Sequence, residues 1–311
     1  MRTGVKIGLI VALVLLLVLG LVVGVVVLGG FLWYRQSSSQ AAGVPLVYEI
    51  DTDPPGGSIL SSTADAVVRI IQLRLDPQHI RIQVARGPGT TKLKIATRAP
   101  GEFSPAEQTE IDRLITGPGW LEFRIAVRES DEPATAIAAA RRSLRERGPG
   151  TPAGTTLHWS LIDASGHVNI PSPPFVLEKW SGEDYVLLYD DPSRILTHDA
   201  SRPKWSINKS QLTSDPRSGG LALSFGLDPN GASLFGTLTA DNLKKPMAIL
   251  MDDRAVSAPT IQSSILGGQG QITFGGPTPT HTVAMIQKEA ETLQQVLNAG
   301  SLPGVRLRRI P

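Results

Sequence analysis

From Ile7 to Trp33 the sequence runs for 27 residues without a charged side chain and is rich in Leu and Val. A helix rises about 1.5 Å per residue, so roughly 20 apolar residues cross a bilayer's hydrocarbon core, and this run crosses it with tilt. A secretory signal has an apolar core of about 7–15 residues and a small-residue cleavage site. Here the run is longer than that, and Ser37 to Ala42 matches such a site only loosely, so the expectation is an uncleaved anchor. Arg2 and Lys6 precede the run, Arg35 follows it, and no further Lys or Arg occurs until Arg69. That asymmetry predicts a cytoplasmic N-terminus and an outer part from 35 to 311, with Trp33 and Tyr34 at the interface. Gly20 and Gly24 form a GxxxG pair, which would let two such helices pack as a homodimer, although Gly is common in membrane helices generally. No later segment approaches 18 apolar residues, so a single span is expected.

The outer part has the size and composition of about two globular domains. With 30 Lys+Arg against 28 Asp+Glu the chain is nearly neutral, which provides no clustered basic surface for nucleic acid. The absence of Cys excludes disulfides, thiolate metal sites and thiol nucleophiles. Residues 35–43 are small and polar and read as a tether, leaving 1–34 as cytoplasmic end plus membrane helix and 35–44 as linker.

Leu46–Ile50 reads as a strand. Leu60, Ala64, Val67, Val68, Ile71 and Leu75 recur at helical spacing, and Ile80–Val84 with Leu93–Ile95 reads as a hairpin. Ser104-Pro105-Ala106-Glu107 is a capping box opening a helix through Ile111, Leu114 and Ile115, followed by a strand over Trp120–Val127. The order β-α-β-β-α-β predicts a ferredoxin-like unit. Residues 131–147 read as a helix closed by Gly148-Pro149-Gly150. Brief strands follow at Leu157–Ile162, Tyr185–Tyr189 and Ile195–Thr197, then strands at Leu221–Leu227, Met247–Met251 and Gly270–Phe274. Asp228-Pro229 starts one further helix and Thr278-Pro279 another, the latter stopped by Gly300.

No catalytic constellation emerges. His79, His158, His167, His198 and His281 show no metal-ligand spacing and read as solvated, so no metal, cofactor or catalytic residue is assigned. Asp190-Asp191 and Asp252-Asp253 are adjacent carboxylates that would point to opposite faces of a strand, which suits turns better than an acid/base pair. Gly267-Gly268-Gln269-Gly270 lacks the following Lys-Ser or Lys-Thr of a phosphate loop and reads as a tight turn with positive φ. The expectation is a protein that is not an enzyme.

The sharpest signal lies in 221–303. Leu227-Asp228, Gly231-Ala232, Phe235, Leu238-Thr239, Asn242, Ala248-Ile249-Leu250, Asp252, Val256-Ser257-Ala258-Pro259, Ile261, Gly267-Gly268 and Gln271-Ile272 resemble the head of the first extracytoplasmic domain of the bacterial SecD/SecDF protein-export family. Leu297, Ala299-Gly300 and Leu302-Pro303 are similar to that domain's end. Arg74-Leu75-Asp76, Ile95 and Leu121-Glu122-Phe123-Arg124 are similar to its base.

The resemblance implies an α+β fold: a single transmembrane helix, a ferredoxin-like base at 45–149, an inserted α+β head at 150–277, and a helix and strand at 278–311 that return to the base. It also implies a bacterial inner-membrane protein with a periplasmic domain, working with Sec translocon subunits and unfolded exported polypeptide. Family motif or contact candidates are Phe235, Asp252, Ser257, Ala258, Pro259 and Phe274, with fold maintenance the competing role for the segment 252–259. Gly148, Gly150, Gly275 and Gly276 are candidate hinges, or ordinary junction loops. Members continue into proton-coupling helices, whereas this sequence reaches Pro311 before any, so the expectation is an accessory export factor without such helices of its own. The alternative is a membrane-anchored binding or scaffold module outside export.

Overall fold

The computed structural model describes residues 44–310 except 53–55, 79, 88–89, 164–174, 199–202, 217 and 280. The apolar run at 7–33, with Gly20 and Gly24, and His79 and His167 lie outside the described residues. Among the described residues no helix is long and apolar enough to cross a membrane.

The described residues form a mixed α+β fold with three sheets. The first has four antiparallel strands in the order β14-β1-β3-β2, from β1 (Leu46–Thr52), β2 (Ile82–Arg86), β3 (Lys92–Thr97) and β14 (Val305–Ile310). Helices α1 (Ser61–Leu75) and α2 (Pro105–Thr116) bury Ala64, Val67, Ile71, Ile111 and Ile115 in one core with Tyr48, Ile50, Leu93 and Ile95 of that sheet. Alternation explains the strand side: in β1 Leu46, Tyr48 and Ile50 are buried while the residues between them are not. The capping box forms in full. Glu107 N donates to Ser104 Oγ (3.3 Å) and Ser104 N donates to Glu107 Oε2 (2.9 Å), as the sequence predicts.

The strand at 120–127 corrects the sequence reading. β4 (Leu121–Ile125) does not join this sheet. It pairs with β11 (Met247–Met251) and β8 (Ile195–Leu196), and β14, from the far end of the chain, takes the place beside β1. The cause is in the side chains. Leu121, Phe123 and Ile125 point into a large core with Trp159, Leu187, Phe225 and Phe235, which the α1–α2 layer does not offer.

Beyond β4 come α3 (Ala134–Arg147), β5 (Leu157–Ile162), β6 (Leu177–Trp180), β7 (Glu183–Tyr189), β9 (Ile207–Ser214), β10 (Leu221–Leu227), α4 (Pro229–Asp241), β12 (Arg254–Ser257), β13 (Gln269–Thr273) and α5 (Val283–Ala299). A seven-stranded sheet has the order β6-β7-β5-β12-β11-β4-β8, and a three-stranded sheet has the order β13-β10-β9. A bridge from Ala126 to Leu188 brings the end of β4 back to β7, so the larger sheet curls on itself. One face of it packs Ala126, Ala248, Ala255 and Ala258 with Phe175, Val186, Leu188 and Leu250, the four alanines letting the strands curl closely.

The last helix also starts later than the sequence reading. Thr278-Pro279 lies in a turn, with Thr278 N donating to His281 O (2.9 Å), and the N-cap is Thr282, whose side chain accepts from Met285 N.

Candidate functional site

The chain passes from the α1–α2 unit to the larger unit at 117–120 and returns at 300–304. Both crossings meet at one side chain. Arg74, in the last turn of α1, is 1% exposed. Its Nη1 donates to the carbonyls of Leu114 (3.2 Å) and Gly117 (2.7 Å), and its Nη2 to those of Pro118 (2.7 Å) and Gly300 (2.9 Å). Leu302 N donates to Pro118 O (2.8 Å), tying the outgoing and returning segments directly. Gln295 of α5 reaches back to the carbonyls of Arg74 (2.7 Å) and Leu73 (3.1 Å), satisfying the otherwise open end of α1.

From the other unit, Asp252 Oδ1 accepts from Gly119 N (2.7 Å) and Trp120 N (2.8 Å). Burial pushes the Arg74 guanidinium down to about 10, against the attraction of Asp252. Burial likewise raises the Asp252 carboxyl, against the Trp120 amide, Arg74 and the Gly119 amide. Desolvation outweighs mutual attraction for both partners, so the cluster is a costly arrangement, held by the four Nη hydrogen bonds while Arg74 Nε is buried without a partner among the described residues. Glycine is favoured twice in this link, because a Cβ would force a hydrogen-bonded side chain to move. A Cβ on Gly119 (φ +77°) would lie 2.0 Å from Arg74 Nη2, and one on Gly117 would lie 2.1 Å from Asp252 Oδ2.

Asp252 and Asp253 form the β11–β12 turn, both with positive φ (51° and 62°), in agreement with the turn role expected of them. Asp253 serves the larger unit. Its Oδ1 meets His158 Nε2 (2.9 Å) and accepts from Ser160 Oγ (3.0 Å). His158 Nδ1 meets Thr151 Oγ1 (2.9 Å), Thr151 donates to Asp190 Oδ2 (3.1 Å), and Asp190 Oδ1 pairs with Arg124 Nη1 (2.5 Å). His158 lowers the Asp253 carboxyl against the opposing effect of burial, which is the largest single influence on it.

The three described histidines are therefore not solvated, which corrects the sequence reading for them. His158 is paired, His198 stacks on Trp205 at 4.2 Å with its pKa lowered by burial, and His281 is 6% exposed beside Glu289.

The contact candidates divide. Phe235 (1% exposed), Ser257 and Ala258 are interior, and the Phe235 ring lies 4.7 Å from that of Phe123. Their side chains are buried in the interior of the unit. Asp252 belongs to the crossing, Pro259 is exposed and Phe274 is half-buried. The candidate hinges lie away from the crossings. Gly148 (φ +85°) and Gly150 (φ +114°) join α3 to β5, where Gly150 N donates to Trp159 O (3.3 Å), and Gly275-Gly276 lies between β13 and α5. The glycines at the crossings are Gly117, Gly119, Gly300 and Gly304, the last three with positive φ. The sequence singled out Arg74 and Asp252 as motif residues, but only the structure brings them to the same place.

Residues 195–304 match the family model described as SecDF, P1 head subdomain. The chain resembles SecD and SecDF. It is 41% identical over 81 residues to the protein translocase subunit SecD of Calditerrivibrio nitroreducens, covering 26% of this chain and 14% of that protein. To SecD of Borreliella burgdorferi it is 24% identical over 248 residues, covering 77% of this chain and 38% of the relative. A solved structure of SecDF, described as a membrane component that enhances protein export, is 20% identical with a TM-score of 0.48. That match covers 86% of this chain and 99% of the other. The chain thus spans less than half the length of the SecD relatives it matches.

Proposed function

We propose that the chain is a membrane-anchored SecD-like protein acting in protein export, with residues 45–311 on the extracytoplasmic side of a bacterial inner membrane. In this reading β1, α1, β2, β3, α2 and β14 form a ferredoxin-like base, and 121–299 form the head that meets exported polypeptide and Sec translocon subunits. The boundary thus moves from residue 149 to the Gly117–Gly119 link. The role is a non-catalytic one, uses no cofactor and draws on no proton-coupling helix within 45–311.

The observation that carries it is the SecDF P1 head match over 195–304, on a unit joined to its base by only two crossings. The resemblance also implies a head that swings relative to its base. Here any reorientation has to open the Arg74 hydrogen bonds to Pro118 and Gly300. The 27-residue apolar run supplies the anchor, and its Gly20/Gly24 pair a homodimer contact.

A second reading, a binding or scaffold module outside export, draws on the family match beginning only at residue 195, which leaves the start of the head unmatched. Purification of the full chain from its native membrane in mild detergent separates the two. Copurifying translocon subunits support the export reading, and their absence, with some other stoichiometric partner present, favours the second.

A further inference from the structure

Strand edges expose rows of unpaired backbone groups, and proteins ordinarily blunt them. Two long edges here are capped by side chains. In β2 the outward groups belong to Ile82, Val84 and Arg86, since Arg98 N already donates to Arg81 O on the inner side. Asp76 Oδ2 accepts from Ile82 N (2.8 Å), Gln72 Oε1 accepts from Val84 N (2.9 Å), and Gln72 Nε2 donates to Ile82 O (3.1 Å). On β9, Asn298 Oδ1 accepts from Ser210 N (3.0 Å) and Asn298 Nδ2 donates to Ser210 O (3.2 Å). The remaining edges are short or charged: β14 carries Arg306, Arg308 and Arg309, β6 carries Glu178 and Lys179, and β8 has two residues.

Among the described residues β13 has none of these devices and is an edge strand, hydrogen-bonded only to β10. Phe274 N donates to Leu221 O (3.0 Å) and Leu227 N to Gly268 O (2.9 Å), so the even-numbered residues face β10 and those of Gln269, Gln271 and Thr273 face outward. No Asp, Glu, Lys or Arg occurs from Ala255 to Gln287, and β13 contains no Pro. Gln271 Nε2 is buried with no hydrogen-bond partner among the described residues. Leu266, 75% exposed, precedes the strand and half-buried Phe274 follows it.

We propose that the outward edge of β13 is a docking site for an extended stretch of polypeptide main chain, which adds there as a further strand. The alternating donors and acceptors of 269, 271 and 273 complement an extended backbone whatever its sequence. Leu266 and Phe274 offer apolar contact at each end. A second copy of this chain is the weaker occupant. Two five-residue strands paired about a two-fold axis bury far less than the roughly 1,200 Å² of a stable interface. The inference rests on the reading that the head meets polypeptide, and the test separates the two.

The experiment measures binding of the full chain, in detergent micelles, to a 12-residue unstructured peptide of Ser, Thr and Val. A second peptide has alternate amides N-methylated in either register, which removes main-chain donors and keeps the side chains. The site predicts that methylation in one register weakens binding about tenfold. Gln271→Pro removes an outward donor without touching the β10 ladder and gives a similar loss. Thr273→Lys, which guards the edge with charge, keeps the proposal testable if the proline variant does not fold. Equal binding by both peptides and all variants overturns the β13 site while leaving polypeptide contact elsewhere on the head intact. No binding of either peptide overturns both. Self-association of the wild type that Thr273→Lys abolishes assigns the edge to a second copy and also overturns the proposal.

Discussion

Arg74 Nη2 lies 2.9 Å from the carbonyl oxygen of Gly300, a residue 226 positions further along the chain. This contact joins the end of the base's first helix to the point where the chain returns from the head. With the bonds to Leu114, Gly117 and Pro118 it makes one guanidinium responsible for both crossings.

Arg74→Ala leaves four carbonyls without that donor and is expected to cost about 3–5 kcal/mol. Arg74→Lys keeps the charge but not the forked geometry and is expected to recover only part of the loss. Urea denaturation gives the energy. Amide exchange places it: Gly119, Trp120 and Leu302 exchange faster in Arg74→Ala, while β7 amides do not.

Gly119 and Gly148 both have positive φ (77° and 85°), yet their substitutions differ in outcome. A Cβ on Gly148 meets only Trp180 at 3.5 Å, so Gly148→Ala costs only the backbone strain of a glycine-only conformation (φ +85°, ψ −173°), about 1–3 kcal/mol. A Cβ on Gly119 collides with Arg74 as well, and Gly119→Ala is expected to cost at least about 3 kcal/mol. Equal denaturation midpoints for the two variants contradict the crossing geometry.

Phe235→Ala removes a ring packed on Phe123 in the head core and is expected to cost about 3–5 kcal/mol. The loss appears in thermal or urea unfolding of the isolated full chain. A variant of unchanged stability that failed only with partner present would return Phe235 to the role of a contact residue.

The Glu289 carboxyl is raised to about 7 by burial and then by Asp163, with Arg113 opposing and Glu110 adding. His281 Nε2 lies 3.5 Å away. A carboxyl raised on folding contributes its full stability only below its unfolded pKa, near 4.3, and loses it as pH climbs through about 7. Solvent screening of this partly exposed group reduces the effect to about 1 kcal/mol. The full chain is therefore expected to lose a few degrees of thermal midpoint between pH 5 and 8, and Glu289→Gln to flatten that loss.

Local chemistry was the part of the fold legible in the sequence. The Ser104–Glu107 box, the Asp228-Pro229 helix start and the Gly300 stop all rest on contacts within a few residues, and each forms where expected. Strand partnership is set by residues far apart, and so Trp120–Val127 was assigned to the wrong sheet. A strand near the end of the chain was expected from the family resemblance, and β14 pairs with β1 there, with buried Val305 and Leu307 alternating with exposed Arg306 and Arg308. Arg74 and Asp252 were recognised as motif residues. Their meeting depends on the returning chain, which no spacing in the sequence encodes. Phe235 was read as a family-motif or contact candidate, and its burial was not legible, because an aromatic side chain that fills a core and one that grips a partner look the same in one dimension.

The account stands on the head meeting polypeptide during export. A photo-crosslinking side chain at exposed Leu266, in the full chain in its native membrane, tests this with an export-arrested polypeptide. The account predicts a crosslink to the exported chain that disappears when export is blocked, with none from the same probe at buried Phe235. Crosslinks from Leu266 to other proteins alone, unchanged by blocking export, would contradict it.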